Sequence, residues 1–252
     1  VGYGSLSNAT TASYNTAVGK SSLGSNTTGA HNAALGKSAL AANTTASFNV
    51  AVGSNVLVVN TTGANNVGLG YAALNANTTA SNNTALGYFS LAANTTGAQN
   101  TAVGMEALDA STTARYNTAI GYAALTTTTT GEFNTSVGAE SLQLNTTGGT
   151  NDAFGYYALN GNTTGSANVA VGSRSLLSNT TASNNTAVGR DALLLNTTGA
   201  SNVALGAYAL DANTTASNNT AVGVSALGAN TTGALNTAVG LESLDANTTG
   251  AG

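Results

Sequence analysis

A 17-residue sequence is repeated about fifteen times between Val1 and Gly252, with no insertion or deletion between copies. The aligned repeat reads N-T-A-V-G-x-x-A-L-x-x-N-T-T-G/A-x-x, and its residues are numbered here as positions 1 to 17. A fixed period of this kind is typical of a solenoid or array and not of a globular domain. An enzyme needs an irregular place where different catalytic groups converge, and the repeat offers none. The sequence therefore predicts neither an enzyme nor a cofactor site.

The composition narrows the choice of partners. Only 6% of the residues are charged, against roughly 25% in ordinary soluble proteins, and the net charge is −4. Nucleic-acid binding requires a basic stripe that neutralises phosphates, so nucleic acid is not an expected partner. The chain lacks Cys, and Asp109, Asp211 and Asp245 are isolated at one variable position, so no metal site is predicted. No apolar run is long enough for a membrane span, and no membrane insertion of this segment is expected.

The repeat covers residues 1–252 as a single uninterrupted array. The first copy starts at position 4 and the last copy ends at position 17, without the atypical polar cap that a solenoid end needs. We therefore expect a fragment of a longer fibre.

The period and the residue types together predict a parallel β-solenoid with one 17-residue repeat in each coil. Positions 2 and 4 are β-branched or aliphatic in most copies, which is the pattern of a strand. A second strand is expected from the Ala-Leu pair towards Asn-Thr-Thr. The constant Gly at position 5 suits a corner that needs positive φ, and the Gly or Ala at position 15 fits a second corner. Fifteen coils spaced by about 4.8 Å would form a rod of roughly 70 Å.

The predicted core consists of the Leu at position 9 and the Val or Ile of the first strand, stacked on their copies in neighbouring coils. The Leu column is unbroken. It comprises Leu6, Leu23, Leu40, Leu57, Leu74, Leu91, Leu108, Leu125, Leu142, Leu159, Leu176, Leu193, Leu210, Leu227 and Leu244.

The segments Asn15–Gly19, Asn117–Gly121, Asn185–Gly189 and Asn236–Gly240 resemble the head repeats of trimeric autotransporter adhesins, the YadA-like family. The chain is also similar to Asn-Thr-Ala-Val-Gly repeat arrays of bacterial surface and phage-fibre-like proteins, most closely at Gly70–Thr79. The resemblance implies a left-handed parallel β-roll, three chains side by side in a homotrimer, and export to the cell surface for attachment.

The two Asn columns allow more than one interpretation. Position 12 opens an Asn-Thr-Thr glycosylation sequon in nearly every coil. Possible glycosylation sites are Asn26, Asn60, Asn94, Asn145, Asn196 and Asn230. Stacked coils would place these side chains about 5 Å apart, so a hydrogen-bonded Asn ladder is the alternative to sparse glycans. The Asn at position 1 is interpreted in the same way, as a corner residue that tolerates the left-handed conformation.

Positions 6 and 7 are too varied for a core and too aromatic for plain solvent exposure. We expect them at a chain–chain interface or at a ligand-facing surface. The candidates are Tyr71, Tyr88, Phe89, Tyr122, Tyr156, Tyr157 and Tyr208. His31 has no carboxylate or nucleophile beside it in the sequence and is interpreted as surface. The Thr-Thr pair suggests ice binding, but adjacent residues of a strand face opposite sides, which leaves one outward Thr per coil where two columns are wanted.

These observations predict a structural extracellular fibre or adhesin shaft, a stiff homo-oligomeric rod at a cell or particle surface. The expected partner is the chain itself, as a homotrimer and as a filament formed by stacking of coil ends. The alternative is a receptor- or carbohydrate-binding module of an adhesin or phage-like tail fibre, whose partner would be a host or cell-surface glycan or protein.

Overall fold

The computed structural model describes all 252 residues, which divide into two compact units, Val1–Thr130 and Gly131–Gly252. Each unit contains seven strands of three residues, and none of the residues is helical. The strands of the first unit are β1 (Thr16–Val18), β2 (Ala33–Leu35), β3 (Val50–Val52), β4 (Val67–Leu69), β5 (Thr84–Leu86), β6 (Thr101–Val103) and β7 (Thr118–Ile120). Those of the second unit are β8 (Thr135–Val137), β9 (Asp152–Phe154), β10 (Val169–Val171), β11 (Thr186–Val188), β12 (Val203–Leu205), β13 (Thr220–Val222) and β14 (Thr237–Val239).

Within each unit the strands pair in parallel and in sequence order. The register joins each residue to the residue 17 positions later, as Thr16 pairs with Ala33 and Thr186 with Val203. Each coil therefore contributes one strand, and the other 14 residues of the repeat return the chain to the start of the next. The predicted parallel β-solenoid with 17-residue coils is confirmed. The structure has no helix with the length and apolar character needed to cross a membrane.

Each strand faces the opposite way from the prediction. The middle residue, at position 3, is buried in every strand, whereas the residues at positions 2 and 4 are exposed or half-buried. In β1, for example, Ala17 is buried and Val18 is 39% exposed. The expectation that the Val or Ile of this strand points into the core is therefore wrong. The small Ala points inward because position 8 of the coil occupies the space opposite it.

Exceptions at positions 3 and 8 show this contact directly. Ser136 replaces the usual Ala of the strand, and its hydroxyl bonds the hydroxyl of Ser141, at position 8 of the same coil, over 2.8 Å. Val56 is larger than the usual position 8 residue, and the following strand has Gly68 at position 3. A Cβ atom on Gly68 would overlap Cγ1 of Val56. Positions 3 and 8 therefore share one fixed volume.

The Leu column forms the core, as predicted. Its twelve members from Leu23 to Leu210 have no exposed surface. Full burial of a Leu side chain contributes about 1.5–3 kcal/mol, and each Leu lies over its copy in the next coil. The burial therefore stabilises neighbouring coils together rather than singly.

The second predicted strand does not form. The segment around the Ala-Leu pair is a turn in which positions 7 and 9 are left-handed, with φ of 59° at Ser38 and 52° at Leu40. Position 17 is left-handed as well, as at Phe48, with φ of 62°. Each such non-Gly residue costs of order 1–3 kcal/mol. Hydrogen bonds between coils offset this cost, because the Leu40 amide donates to the Val56 carbonyl at 3.0 Å and the Ser38 amide to the Lys20 carbonyl at 2.9 Å.

The glycine at position 5 forms the predicted corner, since Gly19 has a φ of 129°. A side chain at this position would also overlap the carbonyl oxygen of the next coil's glycine, Gly36. Both the conformation and the close approach therefore require glycine here.

Candidate functional surfaces

The Asn at position 12 forms a buried ladder. Asn43 donates from Nδ2 to Oδ1 of Asn26 over 2.9 Å and to the carbonyl of Ala46, in its own coil, over 3.0 Å. The six possible glycosylation sites belong to this column and have no exposed surface; they are Asn26, Asn60, Asn94, Asn145, Asn196 and Asn230. Because the glycan would have to attach to the buried Nδ2 atom, the folded coil excludes it. The ladder is the interpretation that the geometry supports.

The Asn at position 1 forms a second ladder of a different kind. Oδ1 of Asn32 accepts the backbone N–H of Asn49 at 2.9 Å, and Nδ2 of Asn32 donates to the carbonyl of Ala46 at 2.9 Å. This Asn is not left-handed, contrary to the prediction. The left-handed residue is the preceding one, at position 17, and the Asn side chain instead bonds the backbone around the corner.

The Thr-Thr pair presents one Thr per coil to solvent, as predicted. Thr28 is exposed, whereas Thr27 is half-buried and donates from Oγ1 to the carbonyl of Thr44 at 3.0 Å. The first Thr therefore belongs to the ladder between coils. Only the second forms an exposed column.

An exposed apolar column runs along the outer face of the strands at position 4. This position holds Val, Leu, Ile or Phe in all fourteen strands. Leu35 is 49% exposed, Phe154 41% and Leu205 37%. Together with position 2, which is Thr in most strands, the column forms an outer face of roughly 330 Å² in each unit. A contiguous row of exposed apolar side chains often marks an interaction site.

In the first unit the structure brings three of the predicted aromatic residues together. The rings of Tyr71 and Tyr88 stack with centroids 5.5 Å apart, and Phe89 lies edge-on to Tyr88 at 4.6 Å. Tyr122 lies in the same column, 47% exposed, but the residue after it is Ala123. Aromatic contact at these positions therefore depends on which residues adjacent coils carry.

In the second unit Tyr156 and Tyr157 form a T-shaped pair with ring centroids 4.3 Å apart. The hydroxyl of Tyr157 hydrogen-bonds the Glu140 carboxylate, and this bond, followed by the one to Tyr156, raises the pKa of Tyr157 to about 12. The hydroxyl therefore stays protonated at neutral pH and acts as a donor to Glu140.

A charged cluster adjoins this pair. Arg174 binds the Asp191 carboxylate with two hydrogen bonds, from Nε at 2.7 Å and from Nη2 at 2.8 Å. Arg190 donates to the same carboxylate at 3.2 Å, and its guanidinium lies 5.6 Å from the ring centroid of Tyr208. The hydrogen bond from Arg174 holds the pKa of Asp191 below its ordinary value although the residue is buried. Asp191 is therefore ionised and fixes both arginines.

The aromatic pair and Arg174 border an open cleft of about 490 Å³. It is lined by Tyr156, Tyr157, Asn160, Arg174 and Leu177. These residues occupy positions 6, 7 and 10 of two successive coils. The sequence indicated the two tyrosines but not the other three residues. The sequence did contain one sign of the cleft: an aromatic pair is followed by Asn160 in the same coil and by Arg174 in the next coil.

His31 belongs to an aromatic stack that the sequence analysis missed. Its ring lies parallel to those of Tyr14 and Phe48, at centroid distances of 4.9 and 5.1 Å. These three residues occupy position 17 of successive coils, so the spacing is that of the coils. His31 is exposed, as expected.

No protein-family model, no curated protein and no solved structure matches this chain. The similarity to adhesin heads therefore stays a prediction.

Proposed function

We propose that this chain is a structural segment of an extracellular fibre or adhesin shaft, which forms a stiff homo-oligomeric rod at a cell or particle surface. Successive coils are joined by backbone hydrogen bonds, two Asn ladders, a Thr ladder and the Leu column. Because several of these contacts join each pair of adjacent coils in parallel, they share a pulling force along the stack at every junction. Such an array is suited to holding another domain at a distance.

The observation that carries the homo-oligomer is the exposed apolar column at position 4. Every strand places an apolar residue there, although the position lies on the outer face and is exposed or half-buried. A second copy of the chain presents the same apolar surface, so two copies can cover each other's columns. The strand face of each unit, roughly 330 Å², is a part of the roughly 800 Å² that each partner contributes to a stable interface, so other surfaces of the chain must contribute as well. The resemblance to trimeric adhesins makes three chains the proposed number.

The mass of the assembly in solution tests this proposal. We expect sedimentation or native mass spectrometry at micromolar concentration to give a trimer for the wild type and smaller species for the double variant Leu35→Lys, Leu205→Lys. The matched control is Thr45→Lys together with Thr215→Lys, which places the same charges on the exposed Thr column. A wild-type protein that stays monomeric, or an equal effect of both double variants, contradicts the proposal.

The second candidate function is receptor or carbohydrate binding by an adhesin or phage-like tail fibre. The cleft beside Tyr156 and Tyr157 favours it, since two aromatic rings lie next to polar groups held in place by their own partners. The two functions are compatible, because the cleft is formed by positions 6, 7 and 10 whereas the proposed interface is formed by position 4.

A further inference from the structure

We propose that the cleft lined by Tyr156, Tyr157, Asn160, Arg174 and Leu177 binds one neutral pyranose ring of a glycan. This inference rests on the second candidate function and specifies its ligand. The volume of about 490 Å³ is within the range of small-molecule sites, about 300–1,000 Å³.

The aromatic pair provides a platform for the apolar face of a sugar. Tyr156 is 53% exposed, and Tyr157 meets it edge-on, so the two rings form an L-shaped wall. An aromatic ring carries partial negative charge on its face, which attracts the C–H groups along one side of a pyranose. Leu177 adds an apolar contact to the lining. The hydroxyl of Tyr157 interacts with the Glu140 carboxylate, which limits movement of this ring.

Hydrogen-bonding groups of both kinds, donor and acceptor, remain without a partner on two of the residues that line the cleft. Arg174 uses Nε and Nη2 to bind Asp191, which leaves its Nη1 group as a donor. Asn160 donates from Nδ2 to the Glu140 carbonyl at 2.8 Å and to Oε1 of Gln143 at 3.3 Å, which leaves its Oδ1 atom as an acceptor. A sugar hydroxyl both donates and accepts, so adjacent hydroxyls can satisfy both groups. Neither side chain needs to be reordered on binding.

The charges around the cleft favour a neutral ligand. The two arginines, Arg174 and Arg190, are balanced by the two carboxylates of Asp191 and Glu140, so an anionic sugar gains no net attraction there. A quaternary ammonium group would suit the two rings but would meet the guanidinium of Arg174. A neutral polyol with one apolar face avoids both conflicts.

Saturation-transfer NMR on the full chain tests this assignment, with the methyl glycosides of glucose, galactose and mannose as probes at millimolar concentration. We expect at least one of them to bind, and Tyr156→Ala to weaken that binding roughly tenfold, the effect of about 1.4 kcal/mol. The matched control is Tyr122→Ala, which removes the same ring from the same column in a coil that does not line this cleft, and should change nothing. Glucuronate and choline serve as charged probes.

Three outcomes would overturn the assignment: no transfer to any neutral glycoside, equal binding by Tyr156→Ala and wild type, or binding of a charged probe alone. Unchanged thermal unfolding of Tyr156→Ala shows that lost binding is not lost folding. Neither tyrosine belongs to the position 4 column, so the mass of the assembly should be unaffected. Failure of the glycan assignment and failure of the fibre proposal are therefore separately visible.

Discussion

Positions 9 and 4 of the coil are both apolar in every complete copy, but they lie in opposite environments. Leu193, at position 9, has no exposed surface, whereas Leu205, at position 4 of the next coil, is 37% exposed. Folding explains Leu193, because its side chain fills the coil and stacks on its copies. Leu205 contributes less to the stability of the folded chain, and its exposed apolar surface costs free energy in water. This difference is the reason for proposing position 4, and not position 9, as the surface that contacts a second copy.

The largest expected effect is that of a charge placed in the buried column at position 9, compared with the same charge placed at position 4. Leu193→Asp should lower the free energy of unfolding by several kcal/mol, because it buries an unpaired carboxylate and removes a core side chain. Leu205→Asp should cost less than about 1 kcal/mol in the dispersed chain, because its carboxylate remains hydrated. Denaturant unfolding under conditions that dissociate the assembly measures both. Similar losses would mean that position 4 also serves the core of the single chain.

The sequence was sufficient for the coil length, the strand position and the Leu column. It was not sufficient for the direction of the strand. A Thr-Ala-Val segment alternates equally well in either orientation, and Val is the more apolar choice for a core. The space opposite the strand decides, and position 8 limits it to Ala17 and its small counterparts. The left-handed turn was also missed, because Leu at position 9 has an intrinsic preference against positive φ that only hydrogen bonds between coils overcome.

The functional surfaces were predictable to a lesser extent. The aromatic residues at positions 6 and 7 stood out by composition, but the cleft depends on Asn160, Arg174 and Leu177, which join it from position 10 and from the next coil. The sequon at Asn145 and its copies was visible, but its burial was not. A sequon is a local pattern, whereas burial depends on the residues 3 and 17 positions away.

A second prediction concerns the volume that position 8 of one coil shares with position 3 of the next. Gly68→Ala restores the usual residue at position 3 but should destabilise the chain by about 1–3 kcal/mol, because its Cβ overlaps Val56. Val56→Ala alone should also destabilise it, by leaving a void. The double variant recreates the usual Ala-Ala pairing and should approach wild-type stability. Thermal unfolding of all four proteins gives the coupling, and additive losses would contradict a shared volume.

The smallest effect is expected where the position 12 ladder is interrupted. Ser111 and Thr128 replace Asn in two successive coils, and both the Ser111 hydroxyl and Oδ1 of Asn94 are buried without a hydrogen-bond partner. In an intact part of the ladder, Asn77 donates to Oδ1 of Asn60 at 2.9 Å and to the carbonyl of Ala80 at 3.1 Å. Ser111→Asn should form the corresponding bonds and stabilise the chain by about 1 kcal/mol, the net value of one hydrogen bond.

The matched control for Ser111→Asn is Ser178→Asn, which adds the same atoms at half-buried position 11, outside the ladder. It should leave the midpoint of thermal unfolding unchanged, whereas Ser111→Asn should raise it. Stabilisation by Ser111→Asn alone would assign the gain to the repaired ladder and not to a general preference for Asn. Equal shifts, or a loss at Ser111, would contradict the ladder as a source of stability. The inner columns of the coil would then stabilise it through the packing of Leu rather than through their buried amides.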